Sequence, residues 1–307
     1  MTTQPSTTPR PTTAAPAQAA PPAGPGGAPG RPGGTKRALG WIAEHALLVA
    51  LAVVFLVPVV FVVLTSFMGS HQTLTGALWP HPFQWSNYLT AFRTAPLGRW
   101  FANSLLYAGV STILMLISSV PMAYVLAKVR FKGASILFFA VIIAMLLPPQ
   151  VTQVPVYVMW AQFRVVGTFW PLILPHLFGN AFSIFLLRQF FLSIPNEYLD
   201  AARMDGNGEW GVLTRVMVPM AKPGIAAASI FMFFQCWNDY YGPLLYTSEN
   251  PDHWTIAYGL ASFHGAHSTD WGVIMAVTTL ATLPVVLVFF FAQRTFVEGI
   301  TLTGVKG

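Results

Sequence analysis

Charged residues are scarce in this sequence. Asp, Glu, Lys and Arg make up 8% of the 307 residues, whereas 54% are hydrophobic and the mean hydropathy is +0.58. Soluble domains carry about 25% charged residues, so this chain lacks the polar surface of a soluble globular protein. The same apolar content excludes a chain that is disordered or fibrous throughout. The class that remains is a helical protein that crosses a membrane several times.

Cysteine and the common catalytic motifs are also nearly missing. Cys236 is the only cysteine, so we expect no internal disulfide and no cysteine-based zinc site. The sequence has no Gly-x-x-x-x-Gly-Lys-Ser/Thr loop to bind ATP phosphates and no His-Glu-x-x-His pair to hold a catalytic zinc ion. His264 and His267 lie near His253, but a solvent-facing loop is favoured there over a metal site. We therefore expect no catalytic residue, no metal site and no cofactor in this chain.

Proline marks the first part of the chain. Nine of the 25 prolines precede Thr35, among Ala, Thr and Gly residues. Such a segment has little to bury, so residues 1–40 are expected to form a disordered tail and 41–307 a single membrane domain. A spacer is favoured over a docking tail for a partner.

Long stretches without charge predict the membrane spans. A span needs about 20 mostly apolar residues, and it is helical because lipid offers no partner for unpaired backbone groups. The prolines at 148, 149 and 155 are expected to kink the third span. The charge-free stretches predict an all-α fold with six transmembrane helices, near residues 46–67, 103–127, 135–160, 169–191, 223–246 and 271–292.

The basic residues predict the orientation. With six spans, both termini lie on one side, and 13 of the 16 Lys and Arg residues fall on that side. Only Arg93, Arg99 and Arg164 fall on the other. Because cytoplasmic loops are enriched in Lys and Arg, both termini are expected in the cytoplasm.

The inner loop at residues 193–222 has a helical pattern. Leu199, Ala202 and Arg203 share one face of a first short helix, and Gly206 can take a positive φ to end it. A second short amphipathic helix follows and is expected to end at Pro219. A loop lying on the membrane surface is the common fate of such a segment. Its slightly acidic polar face instead favours docking against a protein, with Ala201-Ala202 as a small knob.

The spacing in this loop resembles that of a known family. Asp200-Ala201-Ala202, Gly206 four residues later and Val216-Met217-Val218-Pro219 match the EAA loop of importer-type ABC permeases at every spacing, with Asp200 in place of Glu. The segments Trp237-Asn238-Asp239-Tyr240 and Gln293–Gly299 are similar to those of the MalG-type carbohydrate subfamily.

The resemblance implies a MetI-like importer permease, a multi-pass protein of the bacterial inner membrane. It implies a second homologous permease, two ATPase subunits that bind ATP and Mg, an extracellular solute-binding protein and a sugar substrate, with no nucleic acid. A di- or oligosaccharide is favoured among substrates. The family's docking role is carried over to the matching loop residues, namely Asp200, Ala201, Ala202, Asp205, Gly206 and Pro219.

Asp239 is the one ionisable residue well inside a predicted span. A charge there is costly and must face the bundle interior or water. Two interpretations stay open at this point. Asp239 could hydrogen-bond a neighbouring helix, or it could line the solute path together with Trp237, Asn238 and Tyr240, whose aromatic and amide groups suit a polyhydroxy substrate.

Three other functions compete with a sugar permease. A secondary transporter usually carries several coupling carboxylates near the midplane and often an internal repeat, whereas this sequence shows one acid and no obvious repeat. An intramembrane enzyme would need a catalytic constellation that is missing here. An importer permease for a non-sugar solute remains the second alternative.

Overall fold

The computed structural model describes residues 34–263 and 270–304, with side chains at 41–263 and 270–291. These parts are helical and contain no strand. Most of the predicted tail, residues 1–33, lies outside the described residues, as do His264 and His267. Residues 34–40 are helical, so they belong to the first helix and not to the predicted tail.

Fourteen α-helices follow one another in the described parts. In chain order they are α1 Gly34–Ser66, α2 Ser86–Thr94, α3 Leu97–Lys128, α4 Ala134–Leu146, α5 Pro149–Gln162, α6 Trp170–Ile173, α7 Ala181–Ser193, α8 Glu197–Met204, α9 Glu209–Val212, α10 Val218–Met220, α11 Lys222–Trp237, α12 Tyr241–Tyr246, α13 Ile256–Ser262 and α14 Trp271–Gly304.

Four stretches are long and apolar enough to cross a membrane unaided, at Trp41–Thr65, Leu97–Lys128, Trp170–Ser193 and Trp271–Phe291. They correspond to the first, second, fourth and sixth predicted spans. Up to six crossings result if each of two bent helix pairs counts as one span. The pairs are Ala134–Leu146 with Pro149–Gln162, and Glu209–Met220 with Lys222–Trp237. The chain divides into two compact units at Leu56, and the apolar side chains of 41–56 are exposed within the first.

The third predicted span is broken where a kink was expected. α4 and α5 meet at an angle of 93°. Leu147 and Pro148 between them are extended, with ψ of 121° and 129°. A residue that precedes proline avoids the helical region because the proline ring crowds its backbone. Two consecutive prolines therefore separate the helices instead of bending one helix.

The fifth predicted span, 223–246, is also two helices. α11 ends at Trp237, and α12 begins at Tyr241. The fourth span has a similar break, because a 3-10 segment, Leu174–Phe178, and Gly179 with a φ of +96° precede α7. Asn180 caps α7, since its Oδ1 accepts from the backbone N of Ser183 at 2.9 Å.

α3 is the central element of the second unit, where it packs against α7 and α11. Small residues on its buried face let the neighbouring helices approach closely; they are Ala108, Ser111, Ser119 and Ala123. At the base of α11, a Cβ at Gly224 would collide with the ring of Phe190 in α7. The three helices therefore form one tightly packed group.

The N-terminal part of α3 positions the segment that leads into α13. Asn103 Nδ2 donates to the carbonyl oxygens of Asp252 at 2.8 Å and of Trp254 at 2.9 Å. The backbone N of Ile256 donates to Ser104 Oγ at 2.8 Å. These bonds fix the start of α13 beside α3.

Asn87 fastens the end of α1 to α2. Its side chain is buried, and Nδ2 donates to the carbonyl oxygens of Ser66 and Met68, both at 2.9 Å. These are carbonyls at a helix end, which have no intrahelical partner. The amide therefore satisfies groups that would otherwise be buried without a hydrogen bond.

Replacing Asn87 by Leu keeps the branched shape of the side chain and removes both donors. We expect the free energy of unfolding to fall by about 1–3 kcal/mol, because two buried carbonyls lose their partner. Thermal unfolding of the detergent-purified protein measures the loss. Gln162→Leu, which replaces an exposed amide, is the control and should leave the melting temperature nearly unchanged. Equal shifts in the two variants would contradict the role of Asn87.

Candidate functional site

The loop at residues 193–222, called the elbow below, folds as two short helices joined by a turn. α8 forms the first helix. α9, a π-helical turn at Leu213–Met217 and α10 form the second without interruption. The helix–turn–helix predicted from the sequence is therefore present.

Gly206 makes the turn. Its φ is +84°, as its position predicted, and a Cβ on Gly206 would meet no atom within 4 Å. The next residue, Asn207, closes the turn, since its backbone N and its Nδ2 each donate to the carbonyl oxygen of Ala202 at 3.1 Å. Arg215 Nη1 donates to Asn207 Oδ1 at 3.0 Å, which ties the second helix to the turn.

The second helix ends at Met220, one residue beyond the end expected at Pro219. Proline has no backbone N–H, and its ring clashes with the carbonyl four residues earlier in an α-helix. The π-helical turn directly before α10 widens the helix at this place. The chain thereby passes Pro219 without breaking.

The structure separates the two alanines that were predicted to act together. Ala202 is 6% exposed and packs inside the chain with Leu199 and Met217. Ala201 is exposed. The expectation of an Ala201-Ala202 knob is therefore wrong for Ala202, which instead holds the two elbow helices together.

The exposed face of the elbow combines acidic and large apolar side chains. Asp200 and Asp205 are exposed beside Ala201. Met204 is 84% exposed and Trp210 69% exposed. Apolar side chains so open to solvent on a short polar helix pair are typical of a surface that binds another protein.

A charged cluster joins the elbow helices to α3. Arg203 lies between two carboxylates, with Nη1 at 3.3 Å from Asp200 Oδ1 and Nη2 at 2.8 Å from Glu209 Oε1. The hydroxyl of Tyr124, in α3, donates to Glu209 Oε2 at 2.5 Å. The Tyr124 hydroxyl and the Arg203 guanidinium lower the pKa of Glu209, so its carboxylate stays ionised at neutral pH.

Sequence reasoning missed Tyr124. It lies inside a charge-free stretch, where a tyrosine near the end of a span is ordinary. The sequence offers no signal that pairs it with Glu209, which is 85 residues away.

At the opposite end of α11, a cavity of about 510 Å³ opens between α11, α13 and α14. Three of the four predicted path residues line it, Trp237, Asn238 and Tyr240. The remaining lining residues are Ile256, Ala257, Leu260, Ala261, Thr278, Ala281, Thr282 and Val285.

Asp239 does not line this cavity. Tyr107 Oη donates to Asp239 Oδ2 at 2.9 Å, and the backbone N of Gly242 donates to Oδ1 at 2.9 Å. Asp239 thus bridges α3 and the first turn of α12. Of the two interpretations from the sequence, these contacts favour the structural one.

The cavity wall carries groups that suit a neutral amphipathic ligand. The rings of Tyr240 and Tyr258 stack with their centroids 5.9 Å apart. Asn238, Thr278 and Thr282 supply amide and hydroxyl groups, and the described lining contains no Asp, Glu, Lys or Arg. Such a wall suits a solute with apolar faces and uncharged polar groups.

Metal chemistry finds no support in the described parts of the chain. No group of three His, Cys, Asp or Glu residues there could hold a metal ion. His253 instead lies with Nδ1 at 2.7 Å from Asn250 Nδ2.

The chain is similar to known transport proteins. The family described as "Binding-protein-dependent transport system inner membrane component" matches residues 96–301. The diacetylchitobiose uptake system permease protein of Streptomyces coelicolor is 31% identical over 255 residues, which cover 82% of this chain and 84% of the relative. The arabinooligosaccharides transport system permease protein of Bacillus subtilis is 31% identical over 271 residues, covering 87% and 96%.

The fold is also found among solved structures. One of them is a bacterial ABC transporter involved in the import of the acidic polysaccharide alginate, with a TM-score of 0.75 at 23% sequence identity, covering 87% of this chain and 99% of that chain. The family match includes both the elbow and the cavity.

The turn at Gly206 allows a matched comparison. Gly206 and Gly208 both leave open space for a Cβ, but only Gly206 has a positive φ, since φ of Gly208 is −71°. We expect Gly206→Ala to destabilise the elbow by about 1 kcal/mol and Gly208→Ala to be nearly neutral. Hydrogen exchange at residues 197–212 measures this locally. Equal exchange in both variants would contradict a turn that requires glycine.

Proposed function

The chain belongs to the family of binding-protein-dependent transport system inner membrane components, and we propose that it forms half of the translocation path for a neutral di- or oligosaccharide. It is a permease subunit of an ABC importer, with the fold of such permeases. A second homologous permease supplies the other half of the path in this proposal. An extracellular solute-binding protein delivers the sugar.

The observation that carries the proposal is the geometry of the elbow. Its exposed face presents Ala201, Asp205 and Gly206, and the elbow connects α7 to α11, with its second helix bent by 80° from α11. In the proposed assembly this face docks on one of two ATPase subunits, which bind ATP and Mg. When the ATPases close, the elbow moves with them, and the attached spans rock between two packings.

The substrate class rests on the relatives and on the cavity. The two relatives are named for diacetylchitobiose and arabinooligosaccharides. A sugar ring presents apolar C–H faces and hydroxyl groups, and each buried hydroxyl needs a hydrogen-bond partner. Tyr240 offers an aromatic face, while Asn238 and Thr282 offer partners. The uncharged wall favours a neutral sugar over an acidic one.

The proposed orientation is supported by the charges at the two ends of α3. Lys128 and Arg130 lie beside the elbow, where they line a polar cavity with Asp200. Arg99 lies at the opposite end, where it pairs with Asp252. Because basic residues concentrate on the cytoplasmic side, we place the elbow and both termini of the chain in the cytoplasm.

Uptake of sugar by the reconstituted complex tests the proposal. Wild-type uptake into proteoliposomes should require both ATP and the ATPase subunits. Ala201→Glu should abolish uptake without lowering the melting temperature, because Ala201 is exposed and its replacement obstructs only the docking face. Ala77→Glu, at an exposed alanine in the segment between α1 and α2, is the control and should transport normally. Uptake by the chain without ATPase subunits would overturn the proposal.

Variants of Asn238 and Asp239 distinguish a residue that lines the solute path from one that supports the fold. Asn238→Leu should raise the apparent KM for sugar and change the preference among sugars, because it removes a polar group from the cavity wall.

Asp239→Leu should lower the melting temperature, since two donors lose their acceptor. It should leave the preference among sugars unchanged for the protein that remains folded. A changed preference at unchanged stability would show that Asp239 contacts the solute.

A further inference from the structure

We infer that Tyr124 and Glu209 form a joint that makes α3 move together with the elbow, so that both act as positioning residues for coupling. The elbow is continuous in sequence only with α7 and α11. A push on it reaches α3 only through side-chain contacts. The inference rests on the proposed function, because it specifies how the elbow passes motion to the spans.

Glu209 is the centre of the joint. One carboxylate oxygen accepts from Tyr124 Oη in α3 at 2.5 Å, and the other accepts from Arg203 Nε in α8 at 3.0 Å. Glu209 itself is the first residue of α9. A single ionised side chain therefore connects three helices, and hydrogen bonds to ionised groups are stronger than neutral ones.

A second contact lies one turn further along α3. Lys128 Nζ donates to the carbonyl oxygen of Ile194 at 2.6 Å and to Asn196 Oδ1 at 2.8 Å. Tyr124 and Lys128 are four residues apart and share one face of α3. Through this face, Lys128 contacts the segment before α8, and Tyr124 contacts the start of α9.

The ring of Tyr124 is fixed independently of its hydroxyl. Tyr124 is 2% exposed, and its ring meets Phe191 of α7 edge to face, with the centroids 6.2 Å apart. Glu209 and Arg203 have side chains 52% and 37% exposed. Removing the hydroxyl thus leaves the packing of α3 in place and removes only its link to the elbow.

The consequence for transport is specific. With the joint intact, α3 and the elbow move as one body when the ATPases close. Without it, the elbow turns relative to α3, and ATP is hydrolysed with less sugar imported. A purely structural residue would change the amount of folded complex and leave the sugar imported per ATP hydrolysed unchanged.

The test measures sugar imported per ATP hydrolysed in proteoliposomes that contain the complete complex. Tyr124→Phe, Glu209→Gln and the double variant are compared with wild type, together with their melting temperatures. We expect each single variant to lower the ratio about fivefold, in keeping with the loss of a partly exposed charged hydrogen bond. Tyr241→Phe and Glu249→Gln are the controls, because both side chains are exposed and lie outside the elbow.

The double variant decides whether the two residues act through one bond. Non-additive losses support the joint. In that case the double variant imports no less sugar per ATP hydrolysed than the more impaired single variant. Additive losses, an unchanged ratio in Tyr124→Phe, or a fall that the controls share would overturn it. If wild type itself imports sugar without ATP hydrolysis, the proposed function fails instead, so the two failures are distinguishable.

Discussion

The need to satisfy every backbone group inside a hydrocarbon layer governs this structure. Lipid offers no hydrogen bonds, so a span can break only where side chains take over the freed groups. In the fourth span, Asn180 caps α7 and its own N donates to Ser119 Oγ at 3.1 Å, while Ser118 Oγ donates to the carbonyl oxygen of His176 at 3.1 Å. In the fifth span, Asp239 accepts from Gly242 N. The serines belong to α3, so α3 is both the core helix and the partner of a broken span.

Helix α11 links the elbow to the cavity. α11 begins at the elbow and ends at the cavity. Its 16 residues extend about 24 Å, and the tight contact of Gly224 with Phe190 fixes its base on α7. In the proposed coupling, a movement of the elbow reaches Trp237 and Asn238 through α11, which meets the second elbow helix at an angle of 80°.

The sequence predicted the helical class, the elbow and the turn at Gly206, because charge-free length and a positive-φ glycine are local properties. It could not predict whether a span is continuous, since a charge-free stretch reports apolar length and not helical continuity. The break after Leu147 shows this. Nor could it assign Ala201 and Ala202 to opposite environments, or pair Tyr124 with Glu209. Those depend on which helix packs against which, and neither small residues nor a single tyrosine carries that information locally.

The aspartate at position 200 illustrates how the elbow tolerates a departure from the family's glutamate. Asp200 is 65% exposed in its side chain and lies 3.3 Å from Arg203, whereas Glu209 lies 2.8 Å from the same guanidinium and also binds Tyr124. An exposed ion pair of this kind contributes about 0–1 kcal/mol, so Asp200 gives up Arg203 at little cost. Glu209 keeps Arg203 in position when that happens. In the proposed assembly, the shorter side chain at position 200 is therefore free to meet a basic group of the ATPase, while the geometry of the elbow depends on Glu209.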